Sequence, residues 1–416
     1  MSNKRITIHI NEINKIEGHA GFVGKLESGQ ICEARLEVAE GARLIEGILV
    51  GRKIQEAPWI TSRICGICPT IHNLTSIKAM EAALEIKVSR QTIALRKLAL
   101  LGQLIQSHMT HIYFLALGDF FNLKNDTALI KINPKNAASA ISLRDFGNLI
   151  LNIVCGRNIH PTTTAIGGFR RLPAANQLKK IAGTAQKILE NADQFFDFLN
   201  NLFFPQFQRL TMFAALCAEN EYAFYDGKIK LPKNKIYAVE KFFQKAKEFQ
   251  ERPEDLIKKV KIAKESYLVG ALARINLNHK KLNSAAKSAL SRANFQLPCY
   301  NIFYNLLAQM VEVIHALEET QKIIASLKIK EESPIPYKAK RGAGLAATCA
   351  PRGLLFHYYE INTKGLIEKC NIVTPTAQFL ANLENDLEKF LEQPRQNDDI
   401  KMLIRAYDPC ITCAVH

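Results

Sequence analysis

No stretch of this 416-residue sequence supplies the ~18 uninterrupted apolar residues that a membrane-spanning helix requires. Even a long apolar segment such as Ala94 to Ile105 is broken by Arg96, Lys97 and Gln103. A signal-peptide block is missing too: Met1-Ser-Asn-Lys-Arg5 runs into Ile6-Thr-Ile-His-Ile10, which alternates like a strand. The expectation is a cytoplasmic chain without a membrane span. Internal repeats and low-complexity tracts are also lacking. Acidic residues are scarce, since 39 Asp+Glu against 55 Lys+Arg leave a formal charge of +16. Such an excess raises nucleic acid, anionic lipid or an acidic partner. With 48% hydrophobic and 23% charged residues, the chain reads as an ordinary globular protein, long enough to bury a core without disulfide or metal staples.

Residues 1–60 read as β-rich, from the alternation at Ile6–Ile10 and Gly21–Leu26 and the turn residues Glu27-Ser-Gly-Gln30. Apolar residues at helical spacing over 72–121 predict two long helices with a turn near Lys87 to Ser89, and 174–224 returns to that period. The lysine-rich stretch 227–264 reads as an exposed, partly helical insertion whose charge marks a solvated face rather than a polyanion site. Further expectations are a helix over Phe303 to Ile329, a linker over Glu331 to Arg341 and a loop over Gly342 to Pro351. Strands at Leu354 to Tyr359 and Leu366 to Val373 and helices at Ala377 to Leu391 and Asp399 to Arg405 complete the pattern. The fold class is α+β, predominantly α: a long-helix bundle with a small N-terminal sheet and peripheral strands. One domain spans 1–416, with a β-rich part (1–60), a helical core (61–330) and a C-terminal part (331–416) that completes the active site.

The ten cysteines form no disulfide framework in such a chain, so paired spacings point to metal or redox chemistry. Two pairs stand out. Arg63-Ile-Cys65-Gly-Ile-Cys68-Pro-Thr-Ile-His72 lies near the start, and Asp408-Pro-Cys410-Ile-Thr-Cys413-Ala-Val-His416 lies at the end. Two residues between thiols let a tight turn aim both sulfurs at one ion. Spacing alone is met by a four-thiolate zinc site or by two independent redox dithiols. Against both, the pairs lie at opposite ends of the chain, whereas zinc ribbons keep theirs ~15–20 residues apart. The extra histidines and Asp408 suit a reactive thiolate centre that also moves protons.

These motifs resemble Arg-x-Cys-Gly-x-Cys-x-x-x-His and Asp-Pro-Cys-x-x-Cys-x-x-His of the large, catalytic subunit of nickel–iron hydrogenases. The likeness runs through Lys15-Ile-Glu17-Gly-His19, Gly156-Arg-Asn-Ile-His160-Pro161, Gly167-Gly-Phe169, Val269–Arg274, Ala350-Pro-Arg352-Gly353 and Val373-Thr-Pro375-Thr376, and so covers the whole chain. It implies the large-subunit fold and reversible cleavage of H2 into protons and electrons. By resemblance Cys65 and Cys410 are terminal nickel ligands, while Cys68 and Cys413 bridge nickel to an iron bearing carbon monoxide and two cyanides. The resemblance makes the Cys410 thiolate the base in H2 cleavage and Glu17 the carboxylate that carries its proton away. It makes His72 a donor to a bridging sulfur, Cys413, and places Arg352 over the bimetallic site, hydrogen-bonded to one cyanide and paired with Asp408. Thr376, after Pro375, is the donor to the other cyanide. A second ion, magnesium or iron, is implied near the C-terminus, held by Glu46, the Ile372 carbonyl and His416.

Some positions depart from the family pattern. Ser107 stands where many membrane-linked relatives carry aspartate, which resembles the cytoplasmic, cofactor-coupled branch. Cys349 replaces the usual glutamate before Ala-Pro-Arg-Gly, which removes a carboxylate near the site. Lys15 replaces an arginine. Family precursors carry a C-terminal extension removed after nickel insertion, so the end at His416 reads as a mature form or as a member made without one. Outside the two pairs the cysteines stand singly at 32, 155, 217, 299, 349 and 370. The implied partners are therefore an iron–sulfur small subunit and flavin-containing, NAD(P)-linked diaphorase subunits. Deazaflavin-, heterodisulfide- or ferredoxin-linked acceptors and a structural zinc protein are the alternatives; a quinone-interacting relative lacks the cysteine pairs, and nothing beyond the lysines supports nucleic acid.

Overall fold

The computed structural model describes residues 5–28, 30–121, 123 and 126–416. Met1–Lys4, ahead of the first expected strand, and Gly29 of the expected turn lie outside the described residues. The alternating N-terminal segments form a three-stranded antiparallel sheet in sequence order, Arg5–Ile10, Ala20–Glu27 and Gln30–Val38. Its inner face buries Phe22 completely. Strand character stops at Val38, and the rest of the expected β-rich part folds as two short helices, Ile45–Leu49 and Ala57–Thr61. Pro58 accounts for the second: it cannot donate to a ladder but fits the first turn of a helix.

The two expected long helices are Pro69–Leu84 and Arg90–Met109. Glu85 closes the first with a left-handed φ of 57°, and Ser89 caps the second by accepting from the Thr92 N–H at 3.0 Å. Arg90–Met109 runs on into a π-helical stretch, Thr110–Ala116, so that His108 and His111 are both buried at the junction. It packs on the helix Pro134–Cys155 through paired glycines: a Cβ on Gly147 would lie 2.7 Å from the Gly102 carbonyl oxygen. The helices Ala175–Asn200 and Asn305–Ser326 complete the bundle. Helix does not continue through 201–224, because Pro205 interrupts the run; short strands follow at Met212–Phe213 and Ala215–Cys217.

The lysine-rich stretch is more β than helix. Strands Lys228–Leu231, Lys235–Tyr237, Ala246–Phe249 and Lys259–Ile262 surround one helix, Val239–Lys245, and Phe242 and Val260 are buried within it. Lys228-Ile-Lys-Leu231 has the period of two that turns apolar residues inward and lysines outward. The C-terminal sheet is antiparallel, Gly342–Ala350, Gly353–Ile361 and Ile367–Val373. Its first strand occupies the expected loop. The glycines there serve close packing rather than a turn: a Cβ on Gly344 would lie 2.0 Å from the Ala79 carbonyl oxygen of the helix Pro69–Leu84. Helices Pro375–Phe390, Asn397–Ala406 and Ile411–Ala414 end the chain. One apolar cluster runs from Ile10 to Val415, and the cysteine pairs sit inside it.

Candidate active site

Cys68 is the N-cap of the helix Pro69–Leu84, whose first turn Pro69 pre-sets. The Ile67 N–H points back at the Cys65 sulfur at 3.3 Å. Gln103 pins this loop, accepting from the Thr70 N–H at 3.0 Å and donating to the Ile67 carbonyl at 2.6 Å. Cys410 immediately precedes the terminal helix Ile411–Ala414, and Cys413 lies within it. The Arg43 guanidinium ties the two segments together by donating to the carbonyls of both Ile64 and Thr412.

The result is a cage of four buried thiols whose sulfurs all lie within 4.8 Å of one another. Cys65 and Cys410 are 3.5 Å apart, and Cys68 and Cys413 are 3.2 Å apart. Hydrogen bonds from Cys410, Cys413 and Cys68 pull the Cys65 thiol well below its ordinary range, while burial pushes Cys410 and Cys413 well above theirs. Four thiolates this close repel one another in a low-dielectric interior, so the cage ionises fully only around a cation. Four soft sulfur donors fit nickel and iron, and they fit zinc.

The surroundings separate these metals. Glu17 pairs with Cys410 as an isolated β-bridge, and the Ile411 N–H donates to the Glu17 carbonyl at 2.8 Å. Its Oε2 lies 3.0 Å from the Cys410 sulfur and accepts from the Thr412 N–H at 3.2 Å; the Thr412 hydroxyl donates to Oε1. Burial raises the Glu17 carboxyl, and Cys65 raises it further against the lowering effect of these bonds. Gly18 permits the contact: it has φ 85°, and a Cβ there would lie 2.8 Å from Ile411 Cβ.

Arg352 lies opposite. Its Nε and Nη2 donate to Asp408 Oδ1 at 3.0 and 2.7 Å, and Nε also donates to the Asp408 carbonyl at 2.8 Å. Burial opposes the guanidinium charge, but Asp408 more than offsets it and holds the group protonated. The remaining nitrogen, Nη1, is buried without a partner. A small cavity beside the cage is lined by residues that include Arg352, Pro351, Pro375, Thr376 and three of the cage cysteines, Cys68, Cys410 and Cys413. Thr376 accepts from the Cys410 N–H at 3.0 Å, which leaves its hydroxyl proton free to donate. A closed zinc site has no use for an unpartnered buried arginine donor beside a cavity; an open centre carrying small polar ligands does.

His72 places Nε2 at 3.6 Å from the Cys413 sulfur and Nδ1 at 3.2 Å from His357 Nε2. The chain continues from His357 Nδ1 to the Tyr359 hydroxyl at 2.9 Å. Burial lowers the pKa of His72 to about 3, so it stays neutral. Glu46, Ile372 and His416 also meet. Glu46 accepts from the Ile372 N–H at 2.6 Å, and His416 Nε2 lies 2.8 Å from the Ile372 carbonyl and 3.7 Å from Glu46. Burial opposes the Glu46 charge, but His416 and that N–H hold the carboxyl below its ordinary range. One carboxylate, one carbonyl and one imidazole fit a hard cation that keeps several waters.

Sequence reasoning brought forward every residue of the cage but missed those that hold it. Arg43, Thr412 and His357 each touch the site or its ligands. Arg274 fixes the Pro-Arg-Gly turn by donating to the carbonyls of Ala350 and Pro351 at 2.9 and 2.8 Å. Thr412 could have been found, since it lies between Cys410 and Cys413; His357 belongs to no motif. Cys349 is buried and its thiol raised by burial, and the buried Ser107 hydroxyl has no partner. A larger concavity lies elsewhere, an open lysine-lined cleft including Lys228, Lys233 and Lys241, and no described residue lining it has a buried, unpartnered polar side-chain atom.

The family described as nickel-dependent hydrogenase matches residues 43–143 and 256–416. Sulfhydrogenase 2 subunit alpha of Pyrococcus furiosus is 30% identical over 98% of this chain and 98% of its own length. NAD-reducing hydrogenase HoxS subunit beta of Cupriavidus necator is 25% identical over 100% of this chain and 95% of its own. A crystal structure of an NAD+-reducing [NiFe]-hydrogenase in the H2-reduced state superimposes with a TM-score of 0.89 at 26% identity, covering all of both chains.

Proposed function

The chain belongs to the nickel-dependent hydrogenase family, and from that membership we propose that its four-cysteine cage holds a nickel–iron centre and that Glu17 serves it as proton carrier. The protein is a hydrogenase large subunit, an oxidoreductase acting on H2. The single observation that carries the mechanistic reading is the 3.0 Å contact between the Cys410 sulfur and Glu17.

Cys65, Cys68, Cys410 and Cys413 would hold the centre, nickel with an iron carrying carbon monoxide and two cyanides, Cys68 and Cys413 serving both metals. The bound centre supplies the two-electron acceptor at which H2 is cleaved. The residues do the rest. Cys410 takes the proton at sulfur, and Glu17 takes it from there, because a carboxyl raised by burial is closer in pKa to a buried thiol than a solvated one would be. The free Arg352 Nη1 and the Thr376 hydroxyl would donate to the two cyanides, and Asp408 fixes the guanidinium plane. His72 donates from Nε2 to Cys413. Pro375 starts the helix that presents Thr376. Glu46, Ile372 and His416 would hold a magnesium or iron ion between the C-terminus and the C-terminal sheet.

All 416 residues are read as one large-subunit domain, around a single apolar cluster. Outside the cage the described cysteines stand singly, so electrons leave through iron–sulfur clusters of a small subunit and on through diaphorase subunits to NAD(P). The HoxS likeness favours that acceptor over a deazaflavin- or ferredoxin-linked one. No helix among the described residues is long and apolar enough to cross a membrane, and a cytoplasmic location fits a soluble acceptor. The test is infrared absorption of the purified complex together with its metal content. Carbonyl and cyanide bands with stoichiometric nickel are expected; zinc without nickel, or nickel without those bands, overturns the centre.

A further inference from the structure

Behind the Arg352–Asp408 pair stands a buried histidine that has no part in the steps above. His111 lies in the π-helical stretch Thr110–Ala116 and is 1% exposed. Its Nε2 is 2.7 Å from the Arg405 carbonyl oxygen and its Nδ1 is 2.6 Å from Gln309 Oε1. A backbone carbonyl only accepts, so Nε2 carries a proton. The other end of the Gln309 amide decides Nδ1. Gln309 Nε2 donates to Asp408 Oδ2 at 3.2 Å. Turning the amide over would set its oxygen against an oxygen of the Asp408 carboxylate, whose other oxygen accepts twice from Arg352. Asp408 therefore fixes the amide, the amide oxygen faces Nδ1, and a contact of 2.6 Å between two acceptors is excluded.

We infer that His111 is a buried imidazolium, protonated on both nitrogens, and a positioning residue that places a second cation behind Asp408. Its Nδ1 is 4.0 Å from Asp408 Oδ2, while the Arg405 guanidinium is turned away to Asp119 and Asn14. One carboxylate thus stands between two cations, and the group Arg352–Asp408–His111 keeps one net positive charge next to the thiolate cage. His108, one turn earlier, behaves differently: Nε2 meets Glu312 at 2.8 Å, Nδ1 has no partner, and burial lowers the pKa of the ring. The protonation assignment stands without the hydrogenase reading. The consequence, that His111 tunes the donor Arg352 offers to the metal ligands, rests on it.

Neutron diffraction from deuterium-exchanged crystals of the complex at neutral pD decides the first point. Density on both ring nitrogens of His111 is expected, with one deuteron only on His108; a single deuteron on His111 overturns the assignment. For the second point, His111→Gln removes the charge but keeps a donor, and His111→Lys restores the charge. In nickel-replete complex the cyanide bands are expected to shift in His111→Gln and move back in His111→Lys, with a loss of H2 oxidation of about tenfold in the former; unchanged bands overturn the positioning role. Should His111→Gln not assemble, the neutron result on the unmodified complex still decides the charge. Absence of cyanide bands from the unmodified complex sinks the proposed centre and leaves the neutron assignment standing.

Discussion

Two of the polar clusters buried among the described residues are built on opposite rules. Around Glu312, Arg274 donates through Nε and Nη2 at 2.6 and 2.7 Å, Tyr222 donates its hydroxyl at 2.6 Å and His108 meets the other oxygen at 2.8 Å. Charge is balanced inside the group and both carboxylate oxygens are satisfied. Around the cysteines, four thiols crowd within 4.8 Å, and Arg352 Nη1 is left without a partner. A cluster that closes on itself is scaffold. A cluster that needs an ion and offers an unused donor is a site. The two are joined through Arg274, which holds Glu312 with one edge and the Ala350 and Pro351 carbonyls with the other, directly before Arg352.

The comparison breaks most sharply at the cage. Cys413→Ala is expected to abolish nickel incorporation altogether, measured as metal per purified complex, while leaving most of the apolar core intact. A variant with full nickel content removes Cys413 from the ligand set. One step out, Glu17→Gln is expected to keep nickel and the infrared bands but slow exchange between H2 and solvent deuterium by about 10²–10⁴-fold, the usual contribution of a positioned proton carrier. Unchanged exchange takes Glu17 out of the proton path.

On the scaffold side the readout changes from activity to stability. Glu312→Gln leaves the Arg274 charge buried without its partner and is expected to cost about 3–5 kcal/mol, seen as a lower thermal or denaturant midpoint. Nickel per folded molecule should remain near that of the unmodified protein; a loss of nickel larger than the loss of folded protein would merge the two clusters into one unit. The smallest expected effect is in acid. Burial opposes ionisation of Glu312, but Arg274 and then His108 carry its pKa down to about 2 from 4.5. A depressed carboxyl contributes stability above its unfolded pKa and loses it as pH falls from about 4.5 towards 2, a difference of roughly 3 kcal/mol. Denaturant titrations across that window should show the acid limb in the unmodified protein and a shallower one in Glu312→Gln.

The cage was legible because chemistry repeats it in short words: two Cys-x-x-Cys segments, each with a histidine, and Glu17 and Arg352 inside motifs of their own. The elements were legible where periodicity was clean, as at Pro69–Leu84, Arg90–Met109 and Pro375–Phe390. They were misread where one residue type has two uses. Gly342 and Gly344 looked like a loop but let a strand lie against a helix, and the lysines of 227–264 looked like an exposed helical face but alternate with buried residues. Gln309 and His357 carry no local signal at all, since their roles consist of partners 99 and 285 residues away, and Arg43, beside Glu46, gave no hint of its tie to Thr412, 369 residues on.

By itself, then, the order of amino acids determined the donor atoms of the site and the helices that carry them, because ligand spacing and hydrophobic period are local properties of a chain. Which thiol meets which across 345 residues, which nitrogen of Arg352 stays free and which amide faces His111 were settled only by the fold. The reason is physical: burial strips water from these groups, and with water gone each proton and each charge is decided by the few side chains that packing happens to place within hydrogen-bonding reach.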